Sequence, residues 1–297
     1  EDVCPVDAIY QNPKGYEEID MEKCILCGRC LQSCPFGAVI PSSDFPLLLE
    51  DMKSEAPVVA IVAPAVAGQF RTSLEKIYAA IRNAGFDEVC EVAEGAEKTA
   101  SLECAELLHL KAQKEHPGLM SSCCPAWVNF VKGNKPEWKT HVSETPSPMV
   151  LSAKSVKEKI PNAKVVFIGP CLAKKEEAHS SAEVDYAITF EELGALFVAA
   201  GIEVANQEAD SMPEKKPEIG RGFSASGGVA NAIEKLAGQK FNTHIVNGID
   251  KMSIRQMTKA VKDKKTDFFE VMCCEDGCLG GSQSLTSANE AKRIIKN

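Results

Sequence analysis

The sequence predicts an α/β protein with parallel-rich sheets flanked by helices, preceded by a small, cysteine-rich α+β module. Three observations support this prediction. After about residue 45, short apolar runs alternate with helical patterns, as they do around parallel sheets. The 297 residues lie near the upper limit for one hydrophobic core, which favours one large unit and one smaller one. The cysteines also become sparser after residue 45.

The apolar runs and helical patterns give the order of the elements. Strands are predicted at residues 58–62, 88–92, 118–121, 165–168, 186–189, 244–248 and 268–272, and most are apolar throughout, as buried parallel strands are. Helices are predicted at 72–84, 96–115, 147–159, 191–200, 227–238 and 253–264, the last with Ser253 as its N-cap. Short segments rich in Gly, Pro and Cys follow several strands, at the carboxyl ends where such sheets usually bind ligands.

The composition excludes several classes of function. There are 33 Lys+Arg against 42 Asp+Glu, a net charge of −9, and no basic block that would favour nucleic acid as a partner. No apolar run reaches the roughly 18 residues of a membrane span, and no export signal precedes the first motif. We therefore expect a cytoplasmic protein. Disulfides are rare in a reducing cytosol, so the 13 cysteines indicate metal or redox chemistry.

The first 45 residues carry a cluster-binding motif. Residues 24–35 read CILCGRCLQSCP, the CxxCxxCxxxCP pattern of bacterial-type ferredoxins. Cys24, Cys27 and Cys30 are predicted to hold three corners of a 4Fe-4S cubane, and Cys4 the fourth. Cys34 is predicted to serve a partner cubane, whose other ligands would precede Glu1 in a missing upstream segment. Zinc is the alternative, but VCPVDAI and SCPFGAVI form the internal repeat of a ferredoxin rather than a zinc ribbon.

Three further motifs stand at predicted strand ends: SSCCPAW at 121–127, IGPCLAKKEEA at 168–178 and EVMCCEDGCLGGS at 270–282. Each places cysteine on a loop beside Pro or Gly. Four thiolates from these three loops could hold another cubane, with nearby backbone N–H groups donating to its sulfides. Spacing alone supports no more than this.

Together, the three motifs and the module resemble the catalytic domain of the iron-iron (FeFe) hydrogenases over nearly the whole chain. The resemblance implies a ferredoxin-like module at 1–45 and a two-lobed catalytic domain at 46–297. It also implies that a cubane is joined through the sulfur of Cys278 to a two-iron subsite bearing CO, cyanide and azadithiolate. The implied ligands of that cubane are Cys124, Cys171, Cys274 and Cys278.

The resemblance also assigns residues to the two-iron subsite. Lys174 matches a lysine that donates to a cyanide ligand, a charge-assisted hydrogen bond. The other positions implied to contact the subsite are Ala63, Pro64, Ala65, Gly169, Pro170, Phe223 and Met272. The chain departs from the family at Gly169 and Met149, where methionine and glutamine are usual, and at Ala65, often serine. We expect these departures to change the contacts that the pocket makes with the two-iron subsite. Cys273 has no role implied by the family.

Cys123 matches the thiol that, in this family, first accepts protons beside the dithiolate amine. The relay beyond it runs through Glu, Ser and Glu, for which Glu103, Ser143 and Glu106 are the candidates, with Glu177 as a further carboxylate. Glu103 and Glu106 share one helix face because they are three residues apart. Desolvated carboxyls of this kind can exchange protons near neutral pH. Taken alone, the two glutamates would more often form a solvated face, and Cys90 and Cys104 would be small buried apolar residues.

The resemblance implies an enzyme that interconverts H2 with protons and electrons. It also implies a ferredoxin or similar electron carrier and maturation proteins for the two-iron subsite. Two alternatives remain. One is an iron-sulfur assembly protein without that subsite, and the other is a hydrogen sensor of low turnover. The relay candidates argue against the first, and the lack of a signalling domain in this sequence argues against the second.

Overall fold

The computed structural model describes residues 2–113, 118–210 and 216–296. At its N-terminus, strands β1 (Ile9–Gln11) and β2 (Glu17–Ile19) form an antiparallel hairpin, followed by the short helix α1 (Arg29–Ser33). Gly28, just before α1, has a φ of 76°, and a Cβ there would lie 2.2 Å from Ser282 Oγ. Glycine is therefore required where this N-terminal module contacts the rest of the chain.

The first large sheet has four parallel strands in the order β4-β3-β6-β7. Its strands are β3 (Val58–Val62), β4 (Glu88–Glu91), β6 (Lys164–Gly169) and β7 (Tyr186–Thr189). Every residue of β3 is buried, because β3 is central and both faces of the sheet are covered. The sheet confirms the prediction of buried parallel strands.

The second sheet has three parallel strands in the order β5-β9-β8. Its strands are β5 (Leu119–Met120), β8 (Thr243–Asn247) and β9 (Phe268–Met272). Residues of β9 alternate between two separate cores. Phe269 and Val271 lie in one, and Phe268 and Met272 in the other. This alternation places neighbouring residues at the end of β9 on opposite faces.

Helices cover both sheets. They are α2 (Phe45–Asp51), α3 (Leu74–Asn83), α4 (Val92–Lys111), α5 (Pro125–Asn134), α6 (Pro148–Lys159), α7 (Ala173–His179), α8 (Phe190–Ala199), α9 (Glu218–Arg221), α10 (Gly228–Ala237), α11 (Lys251–Asp263) and α12 (Ala288–Lys296). Short 3-10 turns follow β3 (Pro64–Gly68), precede α10 (Gly222–Ser224) and follow β9 (Gly277–Gly280). The six predicted helices are present with shifted ends, and the end predicted for α4 falls at 114–115, outside the described residues.

The predicted N-cap of α11 is wrong. Asp250 occupies that position, and its side chain accepts from the N–H of Ser253 at 2.6 Å, while Ser253 Oγ accepts from the N–H of Asp250 at 2.8 Å. Ser253 is therefore the third helical residue of a reciprocal cap.

The helix α4 carries an unusual buried stripe. Ala96, Ala100, Glu103 and Leu107 follow one another at helical spacing and are all essentially inaccessible. The glutamate thus stands among small apolar side chains, and the expectation of a solvated face is wrong for Glu103. Within the described ranges, no helix combines the length and the apolar character needed to cross a bilayer.

Candidate active site

The three cysteine motifs meet in one cavity between the two sheets. Cys124 is the N-cap of α5, Cys171 follows β6, and Cys274 and Cys278 follow β9. All four line this cavity, as does Cys123. The parallel strands bring the loops together because their carboxyl ends share one edge of each sheet. We call this space the cysteine cavity.

The cysteine cavity suits a metal cluster better than free thiols. Burial raises the pKa of Cys171 to about 12 and that of Cys278 to about 11. Burial also raises the pKa of Cys124, although backbone N–H groups of Cys273 and Trp127 donate to its sulfur. Four buried thiolates would therefore need positive charge, which iron supplies. Among the described residues, no three His, Cys, Asp or Glu side chains meet closely enough to chelate a single metal ion.

Lys174 provides a cation in the cavity wall. It lies in the first turn of α7, three residues after Cys171, and its Nζ is 2.5 Å from Glu177 Oε2. Burial opposes the ammonium charge, but the Glu177 carboxylate outweighs it, so the pKa of Lys174 is raised. The side chain therefore stays protonated and can donate to an anion in the cavity.

Glu103 lies behind the wall that carries Cys123. Its Oε1 accepts hydrogen bonds from the N–H of Ser122 at 2.8 Å and from Ser122 Oγ at 2.9 Å. Its Oε2 is buried without a hydrogen-bond partner. Burial raises the pKa of Glu103 to about 7, against the opposing effect of the Ser122 bonds. A buried carboxyl of this kind can hold or release a proton near neutrality.

Ser143 and Glu106 continue the hydrogen bonds toward the surface. Ser143 Oγ donates to Glu106 Oε2 at 2.5 Å and accepts from the N–H of Thr145 at 3.1 Å. Ser122 Oγ also lies 2.7 Å from the carbonyl oxygen of Thr145. In the described part of the chain, Ser122 and the Thr145 backbone stand between Glu103 and Ser143. Glu177 lies at Lys174, outside this series.

The opposite wall of the cysteine cavity is apolar. It comes from the four-stranded sheet and its neighbours and contains Ala63, Pro64, Met149, Phe167 and Pro170. A Cβ built at Gly169 would lie 2.4 Å from Phe167 Cζ and 3.2 Å from Ala63 Cβ. The Phe167 ring therefore occupies the space that a larger residue at 169 would need. Ala65 directly follows Pro64 but is buried in the core of this sheet and is not among the residues that line the cavity.

Phe223 and Met272 complete the cavity near the three-stranded sheet. Glu270, a residue that the sequence did not single out, fixes this region. Its carboxylate accepts from the N–H of Gly227 at 2.6 Å and of Ala230 at 2.8 Å, at the start of α10. Burial nevertheless raises the pKa of Glu270. By anchoring α10, it holds the preceding turn, which carries Phe223, against the cavity.

The N-terminal module contains a separate cavity that is also lined by cysteines. Cys4, Cys24, Cys27 and Cys30 line it together, with Cys34 outside this set. The predicted internal repeat is visible in the backbone. Ala8 N–H donates to Cys4 Sγ at 3.2 Å, and Ala38 N–H donates to Cys34 Sγ at 3.4 Å.

The remaining cysteines occupy buried or partly buried positions. Cys104, on α4, is buried in the core, as expected for a small apolar residue, and Cys90 is partly buried. Cys273 is buried at the end of β9, on the face opposite Met272. Sequence reasoning missed Ser122 and Phe167. Ser122 is the residue before Cys123 in a motif already identified, so its position was the available signal.

Comparisons with known proteins identify relatives of this chain. Residues 56–282 match the family described as iron only hydrogenase large subunit, C-terminal domain, and residues 17–40 match a 4Fe-4S binding domain. Iron hydrogenase 1 of Clostridium pasteurianum is 25% identical over 93% of this chain, which spans 66% of that protein. A probable cytosolic Fe-S cluster assembly factor of Drosophila persimilis is 24% identical over 90% of this chain and 72% of its own length.

A solved structure shares the fold. A variant of the FeFe-hydrogenase HydA1 from Chlamydomonas reinhardtii superimposes with a TM-score of 0.72, covering 86% of this chain and 89% of that one at 22% identity. This likeness concerns the fold alone, whereas the family match extends over most of the sequence. The chain therefore belongs to the iron-only hydrogenase large subunit family, whose C-terminal domain it carries behind a 4Fe-4S binding motif.

Proposed function

We propose that this protein interconverts dihydrogen with protons and electrons, 2 H⁺ + 2 e⁻ ⇌ H2. The observation that carries the proposal is the placement of Cys123. Its thiol lies in the wall of the cysteine cavity, and a buried carboxyl with a pKa of about 7 lies behind it. A cluster used only for storage or transfer has no evident need of such a proton route.

Cys124, Cys171, Cys274 and Cys278 would hold the active-site cubane, with Cys278 bridging to a two-iron subsite that bears CO, cyanide and azadithiolate. Lys174 would donate to a cyanide ligand, and Ala63, Pro64, Pro170, Phe223 and Met272 would enclose the subsite. When bound, that group supplies the metal centre at which H2 is made or split. The buried cation and the apolar enclosure fit an anionic, water-excluded group.

The protein's own residues move the protons. Burial raises the pKa of Cys123 well above its ordinary value, so this thiol is protonated and can donate while it accepts the next proton. Glu103 then exchanges a proton with Cys123, and Ser143 and Glu106, hydrogen-bonded to each other on the far side of the Thr145 backbone, exchange protons with solvent. Because the pKa of Glu103 is about 7, its protonated and ionised forms are both populated near neutral pH. The carboxyl can therefore accept and release protons.

The N-terminal module would transfer electrons to and from the active site. Cys4, Cys24, Cys27 and Cys30 would hold a ferredoxin-type cubane, and Cys34 would serve a further one. The electron partner is a ferredoxin or similar carrier, and maturation proteins would insert the two-iron subsite. We place the module at residues 1–45, the catalytic domain at 46–297, and the protein in the cytoplasm.

An iron-sulfur assembly role is the second candidate, because a relative of similar identity is named as an assembly factor. This alternative requires the cubanes but no two-iron subsite. Lys174 and the Glu103 route favour the hydrogenase, since neither is needed to hold a cubane.

The two candidates can be separated by one reconstitution. The cubanes are rebuilt anaerobically, a synthetic two-iron azadithiolate complex is added, and the infrared spectrum is recorded while hydrogen production from a chemical reductant is assayed. We expect protein-bound CO and cyanide bands together with hydrogen. Intact cubanes without any bands would contradict the hydrogenase proposal and favour the assembly role.

A further inference from the structure

Cys273 lies between the two sets of cysteines proposed as cluster ligands. It directly follows β9, and the alternation along that strand places it with Phe269 and Val271 on the face that packs against α5. Ile25 of the N-terminal module belongs to the same buried core. The Cys273 side chain is 2% exposed. A thiol is therefore enclosed at the junction of the module and the catalytic domain.

The contacts of Cys273 extend to both cysteine cavities. Cys27 of the module and Cys124 of the catalytic domain both pack against the buried core that contains Cys273, and Cys274 follows Cys273 directly in the chain. The cleft between module and domain is lined by Cys27, Cys273 and Cys274, with Arg29 and Gln32 at its module side. One residue therefore contacts a proposed ligand of each cubane.

Cys27 differs from its neighbours in the module by its position. It packs against the buried core that contains Cys273, and it lines the cleft between module and domain together with Cys273. Cys24 and Cys30 line the cavity of the module itself. Cys27 is thus a ligand through which the catalytic domain can act on the module's cluster.

We propose that Cys273 is a positioning residue that donates its S–H to the Cys27 sulfur and raises the reduction potential of the ferredoxin-type cubane. This inference rests on the cubane ligands of the proposed function. A reduced cluster carries more negative charge on its sulfurs, so a donor stabilises the reduced form more than the oxidised form. The burial of Cys273 strengthens the effect, because a hydrogen bond is electrostatically stronger in a less polar environment. The thiol keeps its proton throughout, and no bond is formed or broken at Cys273.

The test uses the full chain with both cubanes and without the two-iron subsite, so that hydrogenase activity plays no part in the readout. Redox titrations followed by electron paramagnetic resonance give the potential of each cubane. The module signal is identified as the one lost in Cys30→Ala. The variants are Cys273→Ala and Cys273→Val, which remove the donor, and Cys273→Ser, which keeps one. Cys104→Ala, which removes a buried thiol on α4, is the matched control.

We expect Cys273→Ala and Cys273→Val to lower the reduction equilibrium constant of the module cubane about threefold, or ~28 mV at 59 mV per tenfold for one electron. The reduction potential of the active-site cubane should not change, because that site adjoins the backbone of Cys273 and not its side chain. Cys273→Ser and Cys104→Ala should stay close to the unmodified protein. If Cys273→Ala does not hold the module cubane, the potential measured in Cys273→Val takes its place in the comparison.

Two results would overturn the inference alone. One is an unchanged module potential in the variants without a donor. The other is an equal shift in Cys273→Ser, which would make the effect one of packing. If the unmodified protein holds no cubanes at all, the ligand assignment of the proposed function fails as well, and the two failures are therefore distinguishable.

Discussion

The two walls of the cysteine cavity differ in what lies behind them. Behind Phe167 and Ala63 is the apolar core of the four-stranded sheet. Behind Cys123 is Glu103, a carboxyl among small apolar residues of α4. The first wall can set the shape of the cavity, whereas the second can also move protons. The difference indicates that packing explains the residues behind the first wall, whereas function explains the carboxyl at position 103.

The wall that carries Cys123 lowers the stability of the folded state. A pKa of about 7 for Glu103, against an ordinary 4.5, corresponds to about 3 kcal/mol of unfavourable free energy when the carboxyl is ionised in the folded state. A leucine at 103 would avoid this cost. Functional sites are where local rules of stability are commonly broken, and Glu103 fits that pattern.

Removing the acidic proton of Glu103 should have the largest effect on turnover. We expect Glu103→Gln to lower hydrogen production ~10²-fold or more, the usual contribution of a positioned acid or base. The infrared bands of the loaded protein should remain, since Glu103 lies outside the cysteine cavity lining. Glu94→Gln, an exposed change on the same helix, is the control and should keep full activity. Equal turnover in both variants would remove Glu103 from the route.

The cation of the cavity should govern loading. Lys174→Met removes a buried charge-assisted donor worth about 1.5–3 kcal/mol, so we expect the synthetic two-iron complex to bind ~10- to 100-fold more weakly. Infrared band intensity against complex concentration measures this. Lys175→Met is the control, because Lys175 pairs with Glu192 in a structural contact. Loading that falls equally in both variants would indicate general damage rather than a specific donor.

The titration of Glu103 should be directly visible. We expect the infrared band of a protonated carboxyl to disappear with a midpoint near pH 7 and to be absent in Glu103→Gln. Because the raised pKa means that the folded state binds more protons, stability should fall as pH rises from about 4.5 to 7. The glutamine variant should lack this part of the pH dependence. A midpoint below pH 5 would contradict the buried, weakly solvated carboxyl.

The apolar wall should respond through packing. Gly169→Met collides with the Phe167 ring, so we expect a loss of about 1–3 kcal/mol in the free energy of unfolding. Adding Phe167→Val should recover part of it, because the two side chains compete for one space. Urea unfolding of the two single variants and the double variant measures the coupling. Additive effects would mean that Phe167 and residue 169 do not share the space.

Much of the fold could be predicted because its signals are local. The strand at 58–62 is apolar throughout, and the cysteine spacing in CILCGRC identifies a cluster loop without any tertiary information. The helices α5 and α7 were missed because each begins within or next to a cysteine loop, where Pro and Gly suggest irregular backbone. The N-cap of α11 was misplaced because Ser253 and Asp250 are both good capping residues.

The candidate site was predictable only in part. The pairing of Glu103 with Glu106 on one face follows from their spacing, but the burial of Glu103 depends on α10 and the second sheet, which lie far away in sequence. The same holds for Phe167, whose ring fills space beside Gly169, and for Cys273, which shares a buried core with residues of the module. Such roles arise from contacts between distant segments, which no local pattern contains.

The central claim is that protons reach the cavity through Cys123, and one comparison tests it directly. The unmodified protein, Cys123→Ala and Cys104→Ala are loaded with the two-iron complex to equal infrared intensity, and hydrogen production is measured. We predict a loss of ~10²-fold or more in Cys123→Ala and none in Cys104→Ala, because only the first thiol faces the cavity. Unchanged production in a fully loaded Cys123→Ala variant would contradict the account.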